Sequence, residues 1–405
     1  MSRTLRALLL LAAVGCAVPS SSPPPLRVGT SGDYPPFSLL AEGQYHGLDL
    51  DVARAFAADT KRRIEIVEFR WPGLEIDLTA GRFDVAMSGV TMRPWRALVG
   101  TFARPVVEAG AVVLVRPDVA TNVAHLNVPG RRIGVNAGGY LERVARRLFP
   151  RAQINAIPNN LWLPQLFDEN KIDAIVSDTI EAPAFRARVS AALVLGPLTR
   201  DRKAYLTPDP ALAADLDAWL RAREADGWLA AERARFLGQQ WAAPRTAAFS
   251  DLDALLAQID LRLAFMPAVA LAKEQRNLPT VAPEQEERVR AQAQERAQLL
   301  DVSPAKVDAL FLALIHAAHT IQDAVRAVPP AERPAVESMD LDEARAALSR
   351  VSDQIVARAA ELAHDEIPAP RPSADTIANA LDPTVTPAPD RLAIAQAVVA
   401  LIAPE

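Results

Sequence analysis

The strongest constraint on this chain is a change of pattern at Trp241-Ala-Ala-Pro-Arg245. Before it, short apolar runs alternate with segments of helical spacing; after it, the apolar residues recur only at the helical period. Strand and helix periods put different residues on the buried face, so the two parts call for different architectures. Upstream, Leu26-Arg-Val-Gly-Thr30, Ile64-Glu-Ile-Val67 and Asp84-Val-Ala-Met87 read as strands, with helices over Leu48 to Asp59 and Leu74 to Leu78. The alternation recurs in strand Arg132-Ile-Gly-Val135, helix Tyr140 to Leu148, strand Gln153-Ile-Asn-Ala-Ile157, helix Trp162 to Phe167 and strand Ala174-Ile-Val176. It predicts two similar α/β lobes, each with a parallel sheet covered by helices, and a ligand cleft between them at the strand ends.

Downstream, Ser250 to Arg326 and Leu341 to Ala363 carry Ala, Leu, Arg and Glu at helical spacing, which predicts a separate all-α domain. Six prolines (Pro368, Pro370, Pro372, Pro383, Pro387, Pro389) precede or flank a last apolar helix over Arg391 to Ile402, whose packing partner the pattern does not name. The expected division is a leader and linker over 1–25, an α/β domain over 26–242 and a helical domain over 247–405 with its core at 250–365. A length of 405 residues leaves room for this, at roughly 100–200 residues per domain.

The basic start Met1 to Arg6 leads into an apolar run, Ala7 to Ala17, too short to span a bilayer, and reads as an export signal with a periplasmic destination. Either cleavage follows Ala17, or Ala13-Val-Gly-Cys16 is a lipobox that leaves a lipid anchor on Cys16. Cys16 is the only cysteine, which excludes an intrachain disulfide. Ser20 to Pro25 is a linker by composition. Beyond it no uncharged apolar stretch reaches about 18 residues, so no membrane span is expected. A net charge of -5 with both signs interspersed offers no basic stripe and excludes nucleic acid as a partner.

Gly29-Thr-Ser-Gly-Asp-Tyr-Pro-Pro-Phe37, Gly47-Leu-Asp-Leu-Asp51 and Arg82-Phe-Asp-Val-Ala-Met-Ser-Gly-Val-Thr91 resemble the amino-acid-type periplasmic binding proteins, the type II solute-binding fold. The resemblance implies that Arg96 grips a ligand carboxylate bidentately, with donors around Ser88, Gly89 and Thr91 completing the clamp. Most arginines are solvated, and a surface ion pair is the ordinary alternative for Arg96. Within that superfamily residues 26–242 resemble the cyclohexadienyl dehydratases more closely. The segments that carry this are Gly32 to Ser38, Trp71-Pro-Gly-Leu74, Val135-Asn-Ala-Gly-Gly139, Ser177-Asp-Thr-Ile-Glu-Ala182 and Lys203-Ala-Tyr-Leu206. The resemblance implies action on prephenate or arogenate without a cofactor, with Glu181 as general acid and Asp33, Tyr34, Trp71, Asn136 and Asp178 around the substrate. Transport-type relatives usually have a small residue three positions after the aspartate that corresponds to Asp178; here Glu181 stands there. Hydroxide leaves poorly unless protonated as it departs, so a proton donor is the group this reaction needs. Trp71 is equally readable as cleft-wall packing, and Asp33 and Asn136 as caps of their loops.

Ile259-Asp-Leu-Arg-Leu263, Val269-Ala-Leu-Ala-Lys273, Leu278-Pro-Thr280, Glu286 and Phe311 to Gln322 resemble the exported all-helical chorismate mutases over 250–365. That resemblance implies that Arg262 binds the side-chain carboxylate of chorismate, Lys273 reaches a carboxylate and the ether oxygen, Glu286 is the motif carboxylate and Gln322 donates to the ether. Spacing puts Arg262 and Lys273 three turns apart on one face of one helix. The chain departs from the family at Gln285, Ala282 and Gln354, with Arg345, Arg350 and Arg358 near enough to substitute for the last. His46, His125, His316, His319 and His364 form no metal-ligand spacing. The two resemblances together imply a bifunctional exported enzyme. The alternatives are an aromatic amino-acid-binding protein of a transporter with a degenerate helical domain, or a dehydratase whose mutase fold only mediates homo-oligomer formation.

Overall fold

Short apolar runs become strands buried on both faces, as in Ala111–Val115, where all five residues are inaccessible. A computed structural model describes residues 23–189, 192–241, 246–333, 336–365 and 371–403. The proposed leader, with Cys16, lies outside them, as do Pro368 and Pro370.

Lobe one is a five-stranded sheet in the order Ile64–Glu68, Leu26–Thr30, Val85–Ala86, Leu206–Thr207, Thr101–Phe102. Lobe two has the order Gln153–Ile157, Arg132–Asn136, Ala174–Asp178, Ala111–Val115, Leu193–Leu195. In each the first three strands are parallel. Leu206–Thr207 and Ala111–Val115, however, run antiparallel to both their neighbours, so the sheets are mixed rather than parallel throughout. The reason is the crossing of the chain between lobes. Val107–Ala109 carries it out and Asp201–Lys203 brings it back, paired antiparallel to each other as a two-strand hinge. Lobe two is therefore an excursion from lobe one, and the strands next to each crossing run against the rest.

The second part contains helices Ala247–Ala264, Met266–Gln275, Pro283–Leu299, Pro304–Ala327, Leu341–His364, Ala374–Ala380 and Ala388–Ile402. The helix expected to carry both Arg262 and Lys273 is divided at Phe265. Pro267 has no N–H to offer the carbonyl four residues earlier, so the ladder is interrupted there. The stretch Phe249–Gln275 is long and apolar enough to cross a bilayer by length and composition, but 83% of its most apolar window is buried inside the protein. Helix Ala388–Ile402 packs on Pro304–Ala327, where Asp390 meets His316 Nδ1 at 2.9 Å and Lys306 Nζ donates to Ala403 O at 2.9 Å.

The helical part is not walled off from lobe one. A single apolar core runs from Phe69, Leu74, Phe83 and Phe102 of lobe one into Leu255, Ile259, Phe311 and Ile355 of the helices, whereas the cores of lobe two are separate. A buried polar lock accompanies this seam. Arg104, 2% exposed, donates to Asp217 Oδ2 at 2.8 Å in the α/β part and to Asp251 Oδ1 at 2.7 Å in the first helix beyond the junction. Arg221 also pairs with Asp251, at 2.8 Å. Removing one carboxylate from such a set leaves buried guanidinium charge uncompensated. Asp251→Ala should therefore lower stability by about 3 kcal/mol, read as a shift of the urea midpoint.

Candidate functional site

The front cleft lies where the carboxyl ends of strands from both lobes face each other, and its cavity volume is about 50 Å³. Tyr34, Trp71, Gly89, Thr91 and Arg96 line it from lobe one, Asn136, Tyr140, Asn160 and Glu181 from lobe two, and Lys203 from the hinge. The lobes touch across it. Gly138 of lobe two approaches Pro72 so closely that a Cβ would sit 2.6 Å from the Pro72 nitrogen, and its φ of +74° is one that side chains disfavour.

Glu181 owes its direction to the end of strand Ala174–Asp178. There Asp178 Oδ1 accepts the N–H groups of Ile180 at 3.0 Å and Glu181 at 2.9 Å, a turn that starts helix Ala182–Arg186. The Glu181 carboxyl, 1% exposed, accepts from Ser177 Oγ at 2.8 Å and from the Asn160 amide. Burial, then the negative charge of Asp178, push its pKa well above the usual carboxylate range. Asp178 goes the other way. Burial opposes its charge, but Lys203 Nζ at 3.1 Å, the Tyr34 hydroxyl and the Glu181 N–H outweigh that and hold its pKa below the ordinary value. Two carboxyls three residues apart are thus driven in opposite directions, one toward an acid and one toward an anion.

Arg96, 3% exposed, is held by Thr91 O at 2.8 Å and Glu75 Oε1 at 3.2 Å, with its guanidinium 5.1 Å from the Trp71 ring centre. Trp71 also packs edge-on against Phe69 at 5.0 Å, so it serves the core as well as the cleft. Asn136 Oδ1 and Asp33 Oδ1 are buried without a partner, and Asp33 is pushed upward in pKa by burial, against the hydrogen bonds of Ser31 and Asn136. Ser88 does not line the cleft; its hydroxyl is buried between the N–H and Oγ of Ser31, at 3.1 and 2.9 Å. The Gly89 N–H is likewise occupied, donating to Asp49 Oδ2 at 2.6 Å, so the donor set proposed around 88–91 reduces here to Thr91 and Arg96. A Cβ on Gly89 would lie 2.5 Å from the Tyr34 ring.

The second cavity, about 140 Å³, lies among the helices. Arg262, Lys273, Glu286 and Gln322 all line it. Arg262 Nη1 donates to Ser352 Oγ at 3.1 Å while its Nε is buried without a partner, and burial lowers its pKa to about 10, still charged at neutral pH. Lys273, also lowered by burial, donates to Thr280 O at 2.5 Å. Burial would raise Glu286, but the Ala282 N–H and His319 Nε2, each at 2.8 Å, hold it low. Gln322 has a buried oxygen without a partner and makes only a 3.6 Å contact from its amide nitrogen to Met266 Sδ. Arg345 lines the cavity beside Gln285 and Ala282. Arg350, Gln354 and Arg358 do not; they turn to the opposite side of their helix, toward lobe one.

Residues 26–239 match the family model of bacterial extracellular solute-binding proteins, family 3, over more than half of the chain. The chain belongs to that family. Residues 251–323 match chorismate mutase type II. The solute-binding part is 32% identical over 224 residues to a cyclohexadienyl dehydratase of Pseudomonas aeruginosa, spanning 53% of this chain and 84% of that one. It is 26% identical over 183 residues to an L-arginine-binding protein of the same organism, spanning 44% and 71%. Among solved structures it is similar to an ancestral amino-acid-binding protein described as a precursor of cyclohexadienyl dehydratase. The TM-score is 0.50 at 31% identity, covering 52% of this chain and 95% of that one.

In this solute-binding protein the structure adds groups that sequence reasoning passed over. Lys203 lies in the Lys203-Ala-Tyr-Leu206 motif, but a lysine in the charged run Asp201-Arg-Lys203 does not announce that it will be buried at the cleft floor. Asn160 follows a second asparagine in the short connection between strand Gln153–Ile157 and the helix expected from Trp162. His319, notable in the sequence only for lacking a metal-ligand spacing, supports Glu286.

The upward shift of the Glu181 pKa on folding makes stability depend on pH. A carboxyl whose pKa is raised on folding keeps its proton where the unfolded chain releases it, so stability is full below about pH 4.5 and falls as pH rises from there toward the folded pKa. Glu181→Gln removes this loss. Its stability relative to wild type should improve as pH rises from about 4.5 toward the folded pKa in parallel denaturation curves, and a constant difference would show that folding does not raise the Glu181 pKa.

Proposed function

We propose that the chain is a bifunctional enzyme: its helical part rearranges chorismate to prephenate, and its solute-binding part converts prephenate or arogenate to phenylpyruvate or phenylalanine. The observation that carries the second reaction is Glu181, a buried carboxyl held toward its protonated form inside a ligand cleft that also presents Arg96 and Lys203. The 32% identity to a cyclohexadienyl dehydratase supports the same reading.

In the dehydration step the bond from ring to carboxylate breaks and releases carbon dioxide. Its electron pair moves through the ring and expels the hydroxyl from the opposite carbon, which takes the Glu181 proton and departs as water. Arg96 is the group we assign to a substrate carboxylate, through a guanidinium fixed by Thr91, Glu75 and Trp71. Asp33 and Asn136, each with an unpartnered oxygen, are assigned to donors on the substrate. Asp178 is committed to Tyr34 and Lys203, which leaves it the role of raising Glu181 and orienting the turn. Enclosure between the lobes excludes water and aligns the departing groups.

Chorismate rearrangement is pericyclic and needs no proton donor, only a held conformer and cations near the developing charge on the ether oxygen. Arg262 and Lys273, both with burial-lowered pKa, suit the two carboxylates, and the Gln322 amide, held only by a sulfur contact, suits the ether. Arg345 is the cation we assign where Gln354 was expected to leave a gap. Membership of an extracellular solute-binding family supports action in the periplasm, either as a soluble protein or anchored through Cys16.

Phenylpyruvate formation from prephenate and from chorismate, offered separately, tests both parts. Glu181→Gln should lose about 10²–10⁴-fold in turnover while still binding prephenate in calorimetry. Near-normal turnover would remove Glu181 from the reaction, and binding without turnover by the wild type would make the front part a binding protein. Arg262→Ala should depress chorismate conversion by about 10²-fold or more and leave prephenate conversion unchanged.

A further inference from the structure

Helix Leu341–His364 lines the helical cavity with one side and packs on lobe one with the other. Leu341, Arg345, Leu348, Ser349, Ser352 and Asp353 line the helical cavity from it. Arg350, Gln354 and Arg358, spaced by four, form a stripe on its other side that docks on lobe one. Gln354 Nε2 donates to Phe102 O at 2.8 Å and Arg358 pairs with Asp217 at 2.6 Å. Arg350 Nη2 donates to Ala97 O at 2.8 Å and Leu98 O at 3.2 Å.

Those two carbonyls belong to helix Pro94–Val99, the six-residue element that carries Arg96 into the front cleft. A helix this short is marginal on its own, and its last carbonyls have no partner within it. No capping backbone hydrogen bond forms at Gly100, which is extended. A guanidinium at this end supplies the missing donor and complements the negative end of the helix dipole.

We propose that Arg350 of the helical part is a positioning residue for the front reaction: by capping helix Pro94–Val99 it fixes where Arg96 meets the substrate carboxylate. The solute-binding part thus depends, for ligand grip, on a side chain from the neighbouring mutase fold. The inference rests on the assignment of Arg96 to a substrate carboxylate.

The test compares the full-length wild type with Arg350→Met, which keeps the aliphatic packing, and Arg350→Lys, which keeps one donor. For Arg350→Met the KM for prephenate should rise about ten-fold, a loss typical of one charge-assisted contact, with kcat within about two-fold. Arg350→Lys should recover part of the loss, and the KM for chorismate should not move in either variant. An unchanged KM for prephenate, a lysine variant no better than methionine, or a parallel fall in both activities that tracks loss of folded protein would each overturn the proposal. Calorimetric Kd values for prephenate are measured on all three proteins. A wild type that binds without turnover would defeat the dehydratase reading, yet the same ten-fold difference in Kd would still decide the role of Arg350.

Discussion

One side of lobe one shares an apolar core with the helices, and the buried Arg104 guanidinium sits on the seam between Asp217 and Asp251. Desolvating three such groups is unfavourable unless each finds its counter-charge, so the two parts cannot separate without exposing apolar surface and stranding charge together. Everything else is arranged around this fixed body. The helical cavity is formed entirely within it, and the front cleft opens between it and the one lobe whose cores are independent.

The same physical effect serves opposite ends in the two cavities. Burial penalises charge. At Glu181 the penalty raises the pKa of a carboxyl, and Asp178 adds to the effect because Lys203 and Tyr34 hold its own charge. At Arg262 the penalty lowers the pKa only to about 10, which leaves the guanidinium charged and poorly solvated, a cation whose interactions are strong because few groups compete for it. Proton transfer needs the first arrangement and charge stabilisation without proton transfer needs the second.

Much of this was legible in the sequence because period and motif act locally. Strand Leu26–Thr30 and helices Leu48–Asp59 and Tyr140–Leu148 coincide with their apolar spacing to the residue. The antiparallel strands were not legible, since their direction follows from a chain crossing that no local window contains. Arg262, Lys273, Glu286 and Gln322 could be named in advance and do gather around one cavity, but the break at Phe265 was overlooked although Pro267 gives its cause. Lys203 and Asn160 were missed for a different reason. A buried lysine on a hinge strand and an asparagine in a loop become meaningful only once two distant segments have closed over them. Ser88 and Gly89 differ in the converse way: their motif is present, yet the Ser88 hydroxyl is engaged by Ser31 and the Gly89 N–H by Asp49.

The excursion of the chain into lobe two has a consequence for how such a protein can change. Lobe two leaves the fixed body through Val107–Ala109 and returns through Asp201–Lys203, so its contents are inserted at one point of the chain rather than threaded through the whole. Half the front cleft, Glu181 included, travels with that insertion. New chemistry can then enter as a cassette: exchanging the segment between the two hinge strands would alter which ligand is held and what happens to it, while the helical cavity and its supporting core stay as they are.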